Sequence, residues 1–207
     1  MTMSPRMPLC PLACAVLLSL CVGPVAKAHV HIVSHETRYG SSLIKSPPCG
    51  VSAASSARGE VEHTFQPGET ITIEYDEFVP HPGHFRVSFD VDGEDDFVEP
   101  AAYDDLYTNE TVLLDGIAAH DQAGQGGIRS VDVTLPNVEC DNCTLQLAQI
   151  MTDKPPYVPA TNDLYYNCLD VVLAPEPDPT ITAAMALLSL LGLRWARPRA
   201  AREALVR

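Results

Sequence analysis

The feature that most constrains the fold is a period-two alternation of apolar and polar residues, repeated in short segments between gaps rich in Gly and Pro. Alternation of this kind places the apolar side chains on one face of a β-strand. The segments that carry it are 29–33, 70–75, 85–91, 131–135, 144–150 and 169–173. Six or seven short strands so spaced predict an all-β fold, an antiparallel β-sandwich of immunoglobulin- or fibronectin III-like build. Segments 36–60 and 97–127 have no clean period and are predicted to be long loops, with a helical turn near 101–106.

The first 28 residues have the pattern of a secretory signal peptide. Arg6 precedes an apolar run over 9–22, and the small-x-small sequence Ala26-Lys27-Ala28 follows it. The run is too short, and too interrupted by Pro, for a membrane-spanning helix of about 20 residues. We therefore expect export and cleavage before His29. A cut one or two residues away is the alternative.

Cysteine usage agrees with export. Three of the seven cysteines lie in the leader, which leaves Cys49, Cys140, Cys143 and Cys168 in the exported chain. An even number in an oxidising compartment predicts two disulfides. We favour a local bridge between Cys140 and Cys143 in a turn, which pairs Cys49 with Cys168. A four-cysteine zinc site is the alternative.

Cleavage before His29 would create a chelator at the new N-terminus. The α-amino group has a reference pKa of about 8, so a divalent metal can displace its proton near neutral pH. The amine and ring Nδ1 of His29 would then hold one ion together, and one further imidazole would complete a T-shaped site of three nitrogens. This histidine brace suits a single copper(II) ion, which favours tetragonal nitrogen ligation. Cleavage at another residue would abolish it.

The second imidazole is expected from the loop that precedes the strand at 85–91. This loop contains His81-Pro82-Gly83-His84, so it presents two rings at a strand entrance. His81 is the first choice as the metal ligand and His84 the second. The alternative for either ring is an ordinary histidine of a surface loop.

The exported region is strongly acidic. Residues 29–179 contain 6 Lys or Arg against 26 Asp or Glu, a formal charge of −20. Such a field disfavours nucleic acid, anionic lipid and polyanionic glycans as partners, and it leaves neutral or cationic polymers. A soluble acidic protein whose charge has no steering role is the alternative.

A second predicted localisation signal lies at 174–207. A Pro-rich spacer over 174–179 is followed by an apolar run over 181–193 and a tail with five arginines. This arrangement resembles the Pro-Glu-Pro type of bacterial C-terminal sorting signal; a simple tail anchor is the alternative. Either would place the domain at 29–173 outside the cytoplasm, as an extracellular, periplasmic or cell-surface protein whose only membrane contact is this tail.

Together, His29, the loop 81–87 and the closing segment 164–171 resemble the copper core of lytic polysaccharide monooxygenases, and more closely the bacterial polysaccharide monooxygenase-like proteins. Tyr165 matches the aromatic residue that this family places at the axial position just before the last strand. The resemblance covers roughly 29–173. Its motifs are short, so its specificity comes from their order and from the leader junction.

The resemblance implies a copper-dependent reaction. Copper held by His29 and His81, reduced by an external electron donor, would use dioxygen or peroxide to remove a hydrogen from C1 or C4 of a polysaccharide, which breaks the glycosidic bond. The chemistry belongs to the metal, and the protein fixes an open and exposed site. Tyr165 would occupy the axial position of the copper site. Gln149 or Gln146 would hydrogen-bond the oxygen species.

Some features depart from the family. The region 29–173 has no Trp, since Trp195 lies in the tail, and its loop aromatics are limited to Tyr39, Tyr103, Tyr107 and Tyr157. A copper-binding or copper-delivery protein without catalytic turnover is therefore the main alternative, with Asp163 as a candidate carboxylate ligand. A metal-free adhesion domain is the third.

Overall fold

A computed structural model describes residues 29–107, 109–121, 126–153, 155–158 and 163–176. The predicted signal peptide and almost all of the predicted sorting tail lie outside these ranges. No helix within them has the length and apolar character needed to span a bilayer. Within them the fold is all-β, as predicted, and its eight strands are β1 His31–Ile32, β2 Glu62–Phe65, β3 Thr70–Glu77, β4 Gly83–Asp90, β5 Val112–His120, β6 Gly127–Thr134, β7 Cys140–Met151 and β8 Leu164–Leu173.

The strands form two facing sheets, so the predicted sandwich is confirmed. One sheet has three strands in the order β1-β3-β6, and the other has five in the order β2-β8-β7-β4-β5. All neighbours are antiparallel except β2 and β8, which run parallel along one edge. Alternation turns Ile73 and Tyr75 of β3 inward, and Tyr75 meets Phe85 of β4 with ring centres 4.7 Å apart. This apolar layer between the sheets is the core.

The outer face of the five-stranded sheet is also covered, although half of a sandwich strand is usually exposed. All eight residues of β4 are buried, including Arg86. The segment after β4 folds back over that face, where Arg86 Nη2 donates to the carbonyl of Asp105 at 2.6 Å. The Tyr166 hydroxyl contacts Glu99 in the same layer. The long loop predicted at 97–127 is thus partly a covering layer for the sheet.

Two predictions in that segment are wrong. Residues 112–120 form β5, and residues 101–106 form bends and turns instead of a helical turn. Strand β5 shows no alternation because its register against β4 shifts repeatedly. Gly116 and Ala118 have positive φ, 63° and 49°, which breaks the period that the sequence pattern would need.

The cysteines pair as the sequence favoured. Disulfides join Cys49 to Cys168 and Cys140 to Cys143. The Cys140–Cys143 pair lies at an irregularity at the start of β7 and not in a separate turn. The Cys49–Cys168 bridge fastens the loop before the 3₁₀ turn Ala53–Ser55 to β8, and this positions one wall of the candidate site.

Candidate metal centre

Residue His29 lies at one end of the sandwich, held by the main chain around it. Its carbonyl accepts the N–H of Val79 at 3.5 Å. The side chain of Asn167 in β8 donates to the carbonyl of Val30 at 3.2 Å and accepts the N–H of Ile32 at 3.4 Å. Because Asn167 is two residues after Tyr165, this clamp sets His29 beside Tyr165.

Three predicted site residues form one column of rings. The His29 ring stacks on the Tyr165 ring with centres 3.9 Å apart and planes 16° apart. It also faces the His81 ring at 5.1 Å and 12°. The fold therefore brings His29 together with His81 although 52 positions separate them in the sequence.

The hydrogen bonds of His81 fit a metal ligand. Its Nδ1 lies 2.8 Å from Asp153 Oδ2. An ionised carboxylate only accepts, so Nδ1 carries the proton and Nε2 carries the lone pair. That Nε2 atom is buried and has no hydrogen-bond partner. A carboxylate on one ring nitrogen with an open lone pair on the other is the arrangement in which proteins present histidine to metals.

Tyr165 contacts both His29 and a cation. Its hydroxyl lies 2.9 Å from His29 Nε2 and also contacts the ammonium of Lys45. Burial, and then the charges of Asp153 and Asp163, raise the pKa of Tyr165 to about 12, so the phenol is neutral at physiological pH. Its oxygen can accept a hydrogen bond from the Lys45 ammonium.

The described side chains limit the forms that a metal centre can take. Across the described ranges, no group of three or more His, Cys, Asp or Glu side chains is arranged to hold a metal ion. The described imidazoles that lie together at this end of the sandwich are those of His29 and His81. A processed His29 would add its α-amine as a third donor.

The second candidate, His84, lies elsewhere. It is nearly buried, and its Nε2 is 3.6 Å from Asp115 Oδ1, a residue that also binds Arg86. Burial lowers the pKa of His84, with Asp115 opposing the change. Strand alternation puts His84 with Arg86 on the covered outer face. The structure thus places His81 in the ring column and His84 outside it.

The two glutamine candidates also separate by face. Gln149 is directly opposite Tyr165 in the β7–β8 ladder, on the inner face, and its Nε2 donates to Glu77 Oε1 at 3.0 Å. Its Oε1 is buried without a hydrogen-bond partner. Gln146 points to the other face and donates to the carbonyl of Pro48 at 2.7 Å. Of the two, Gln149 is the one that shares a face with Tyr165.

A buried charged cluster behind Gln149 was missed by the sequence reasoning. The side chain of Glu77 is fully buried, with Oε1 3.3 Å from His120 Nε2 and Oε2 3.4 Å from Arg129 Nε. The signal was present, because alternation in β3 places Glu77 on the same inward face as Ile73 and Tyr75. Burial of an ionised carboxylate is costly unless charged partners surround it.

Comparisons with known proteins add one similarity. No family model and no curated protein matches the chain. Among solved structures, a lytic polysaccharide monooxygenase (AA15) from Thermobia domestica in the Cu(I) state matches with a TM-score of 0.36 and 23% identity. The match covers 54% of this chain and 62% of that one.

Proposed function

We propose that this chain is an exported copper protein whose centre is a histidine brace, and that it cleaves a polysaccharide oxidatively. The brace consists of the α-amine and Nδ1 of His29 with Nε2 of His81. The observation that carries the proposal is the orphaned, buried Nε2 of His81, in a ring stacked against His29 and oriented by Asp153. When bound, copper would supply the one-electron chemistry that activates dioxygen or peroxide.

The protein's own groups have distinct tasks in this proposal. Asp153 holds the proton of His81 at Nδ1 and so keeps the Nε2 lone pair directed at the metal. Tyr165 covers one side of the His29 ring and excludes water there. Gln149, fixed by Glu77, offers its carbonyl oxygen as an acceptor on the inner face of the sandwich.

Surface charge supports a neutral or cationic substrate. The four described arginines, Arg38, Arg58, Arg86 and Arg129, each form an ion pair with a carboxylate of the same chain. Because these cations are engaged internally, the remaining exposed carboxylates give the surface an acidic field. Such a field attracts no polyanion. A neutral or amine-bearing glycan, with an external electron donor, is the reaction partner that we propose.

A copper carrier without turnover is the second candidate function, and one observation favours it. Tyr103 and Tyr157 pack against each other with ring centres 4.7 Å apart, and the Tyr157 hydroxyl donates to the carbonyl of Pro100 at 2.8 Å. Tyr39 donates to the carbonyl of Ala57 at 2.9 Å. Three of the four predicted loop aromatics are thus engaged in packing or hydrogen bonds, which leaves little aromatic surface for stacking on sugar rings.

The deciding experiment uses protein exported and processed by its host. Intact mass fixes the first residue, and copper(II) EPR with nitrogen hyperfine structure tests the ligands. We expect His81→Ala, or an extra Ala before His29, to abolish tight copper binding, with His63→Ala as the matched control at a distant histidine. Oxidised oligosaccharides formed with ascorbate and peroxide support the enzyme, whereas tight copper without product supports the carrier. A first residue other than His29, or equal copper affinity in the extended form, refutes both.

A further inference from the structure

Lys45 is held against the ring column by a rigid loop. The Cys49–Cys168 disulfide ties this loop to β8, and the N–H of Tyr166 donates to the carbonyl of Ile44 at 2.8 Å. The N–H of Gly50 donates back to the carbonyl of Ser46 at 2.7 Å, which closes the loop on itself. The backbone on both sides of Lys45 is therefore fixed relative to Tyr165, although the Lys45 side chain is exposed.

The ammonium of Lys45 lies close to the proposed ligand His29. It contacts the Tyr165 hydroxyl and lies 3.6 Å from the centre of the Tyr165 ring. The Tyr165 ring centre is 3.9 Å from that of His29. Adding the two distances puts the ammonium within about 7.5 Å of the His29 ring centre. This separation is below the screening length of about 8 Å at physiological ionic strength.

Negative charges also act on the ring column. Asp153 binds His81, and Asp153 and Asp163 both act on Tyr165. Among the described cations, Lys45 is the one that contacts the ring column. Reduction of a copper centre removes one positive charge from it. A fixed cation therefore favours the reduced state, and nearby carboxylates favour the oxidised state.

We propose that Lys45 sets the reduction potential of the copper centre, raising it in favour of Cu(I) through a charge held on Tyr165. The inference rests on the proposed function, because it requires copper at His29. Lys45 is a positioning residue in this role: it acts through the field at the site and contacts neither substrate nor metal. Because Lys45 acts through its charge, we expect the reduction potential to depend more on the charge of this side chain than on its length.

The test compares copper-loaded, processed wild type with Lys45→Met, Lys45→Gln and Lys45→Arg. The readout is the ratio of Cu(II) to Cu(I) dissociation constants, with the reduction potential measured independently by redox titration. We expect Lys45→Met and Lys45→Gln to lower this ratio about tenfold, which equals about 59 mV for one electron. Lys45→Arg should stay within about twofold of wild type, and added salt should shrink the differences.

A remote charge change and a folding check complete the design. Glu139→Gln alters the net charge at an exposed position far along the chain and should leave the ratio unchanged. Circular dichroism confirms that the exposed Lys45 variants are folded.

Equal ratios in wild type and Lys45→Met, with copper bound in both, overturn the Lys45 inference alone. Equal shifts in Lys45→Met and Lys45→Arg also overturn it, since charge would then not matter. Absence of copper binding in wild type overturns it together with the proposed function.

Discussion

His81 and His84 differ in their position in the fold, and only His81 lies in the ring column with His29 and Tyr165. His81 and His84 are three residues apart in one loop and strand entrance, yet their ring nitrogens have different surroundings. Asp153 accepts from Nδ1 of His81 and leaves its Nε2 without a partner, whereas His84 faces Asp115 on the covered outer face. Asp153, two residues after the end of β7, therefore orients the His81 ring that we propose as the metal ligand.

Asp153→Asn should weaken copper(II) binding by about 10- to 100-fold, the usual effect of removing the outer partner of a ligating histidine. The amide can donate as well as accept, so it no longer fixes the proton of His81 on Nδ1. Isothermal titration with a competing chelator measures the change. Asp132→Asn is the control, because Asp132 binds Thr72 on the exposed face of the other sheet. Equal losses in both variants would contradict a specific role for Asp153.

Side chains from four strands form a polar cluster around Glu77, beneath the candidate site. Glu77 of β3, Arg129 of β6, Gln149 of β7 and His120 of β5 come from four strands and join the two sheets. A buried carboxylate is stable there only while its partners remain, so the cluster fixes how the sheets meet. It also holds the amide of Gln149, whose neighbour in the ladder is Tyr165.

Glu77→Ala should reduce the free energy of unfolding by about 3 kcal/mol, because it removes a fully buried carboxylate and leaves the buried His120 side chain and the partly exposed Arg129 without it. Glu77→Gln keeps the shape and should cost less. Urea unfolding followed by circular dichroism gives the values. In the same strand, Glu74 is exposed, and Glu74→Gln should change stability by no more than about 0.5 kcal/mol. A Glu77→Ala protein as stable as Glu74→Gln would show that the cluster does not hold the sheets together.

The two disulfides should contribute very differently. Cys49 and Cys168 are 119 positions apart, and Cys140 and Cys143 are 3 apart. A crosslink restricts the unfolded chain more when it closes a longer loop, so the double variant Cys49→Ser/Cys168→Ser should lose about 4 kcal/mol of unfolding free energy. Cys140→Ser/Cys143→Ser is the matched control and should lose less. Comparable losses in urea titrations would contradict this account.

Among the described residues, three tyrosines are buried, of which Tyr75 and Tyr165 lie in the core between the sheets, and Tyr157 is half-buried. Burial raises the pKa of Tyr75 and of Tyr165 to about 12, and it also raises those of Tyr157 and Tyr166. Each phenol binds its proton more tightly in the folded chain than in the unfolded chain, where its pKa is about 10. Their contribution to stability is therefore complete below pH 10 and is lost as the pH rises from about 10 to about 12.

We expect the urea concentration at the unfolding midpoint to decrease as the pH rises from about 10 to about 12, the interval between the unfolded and folded pKa values of these phenols. Tyr75→Phe should flatten this dependence without destabilising the protein at pH 8, because the Tyr75 hydroxyl is buried without a hydrogen-bond partner. Tyr107→Phe alters an exposed ring and should leave the dependence as it is. A midpoint independent of pH over this interval would show that the phenols are not protected by folding.

The local pattern of the chain determined the all-β class, the faces of β3, β4, β7 and β8, and the cysteine pairing that it favoured. The strand faces depend on neighbours one or two residues apart, which the sequence displays directly. The favoured pairing followed from the even number of cysteines and from the short spacing of Cys140 and Cys143. The leader junction pointed to His29 and the loop before β4 to His81, whereas Tyr165 was predicted from the resemblance to the monooxygenase family. Strand β5 was not predicted, because its bulges and positive φ values remove the alternation by which a strand is identified in a sequence.

Only the tertiary structure decided which ring joins His29, and it alone placed Lys45 on Tyr165 and gathered partners around Glu77. Lys45 and Tyr165 are 120 positions apart, and His29 and Tyr165 are 136 apart. Contacts over such separations depend on how the loops close and how the two sheets pack. Those are properties of the whole chain, and no local pattern of residues encodes them.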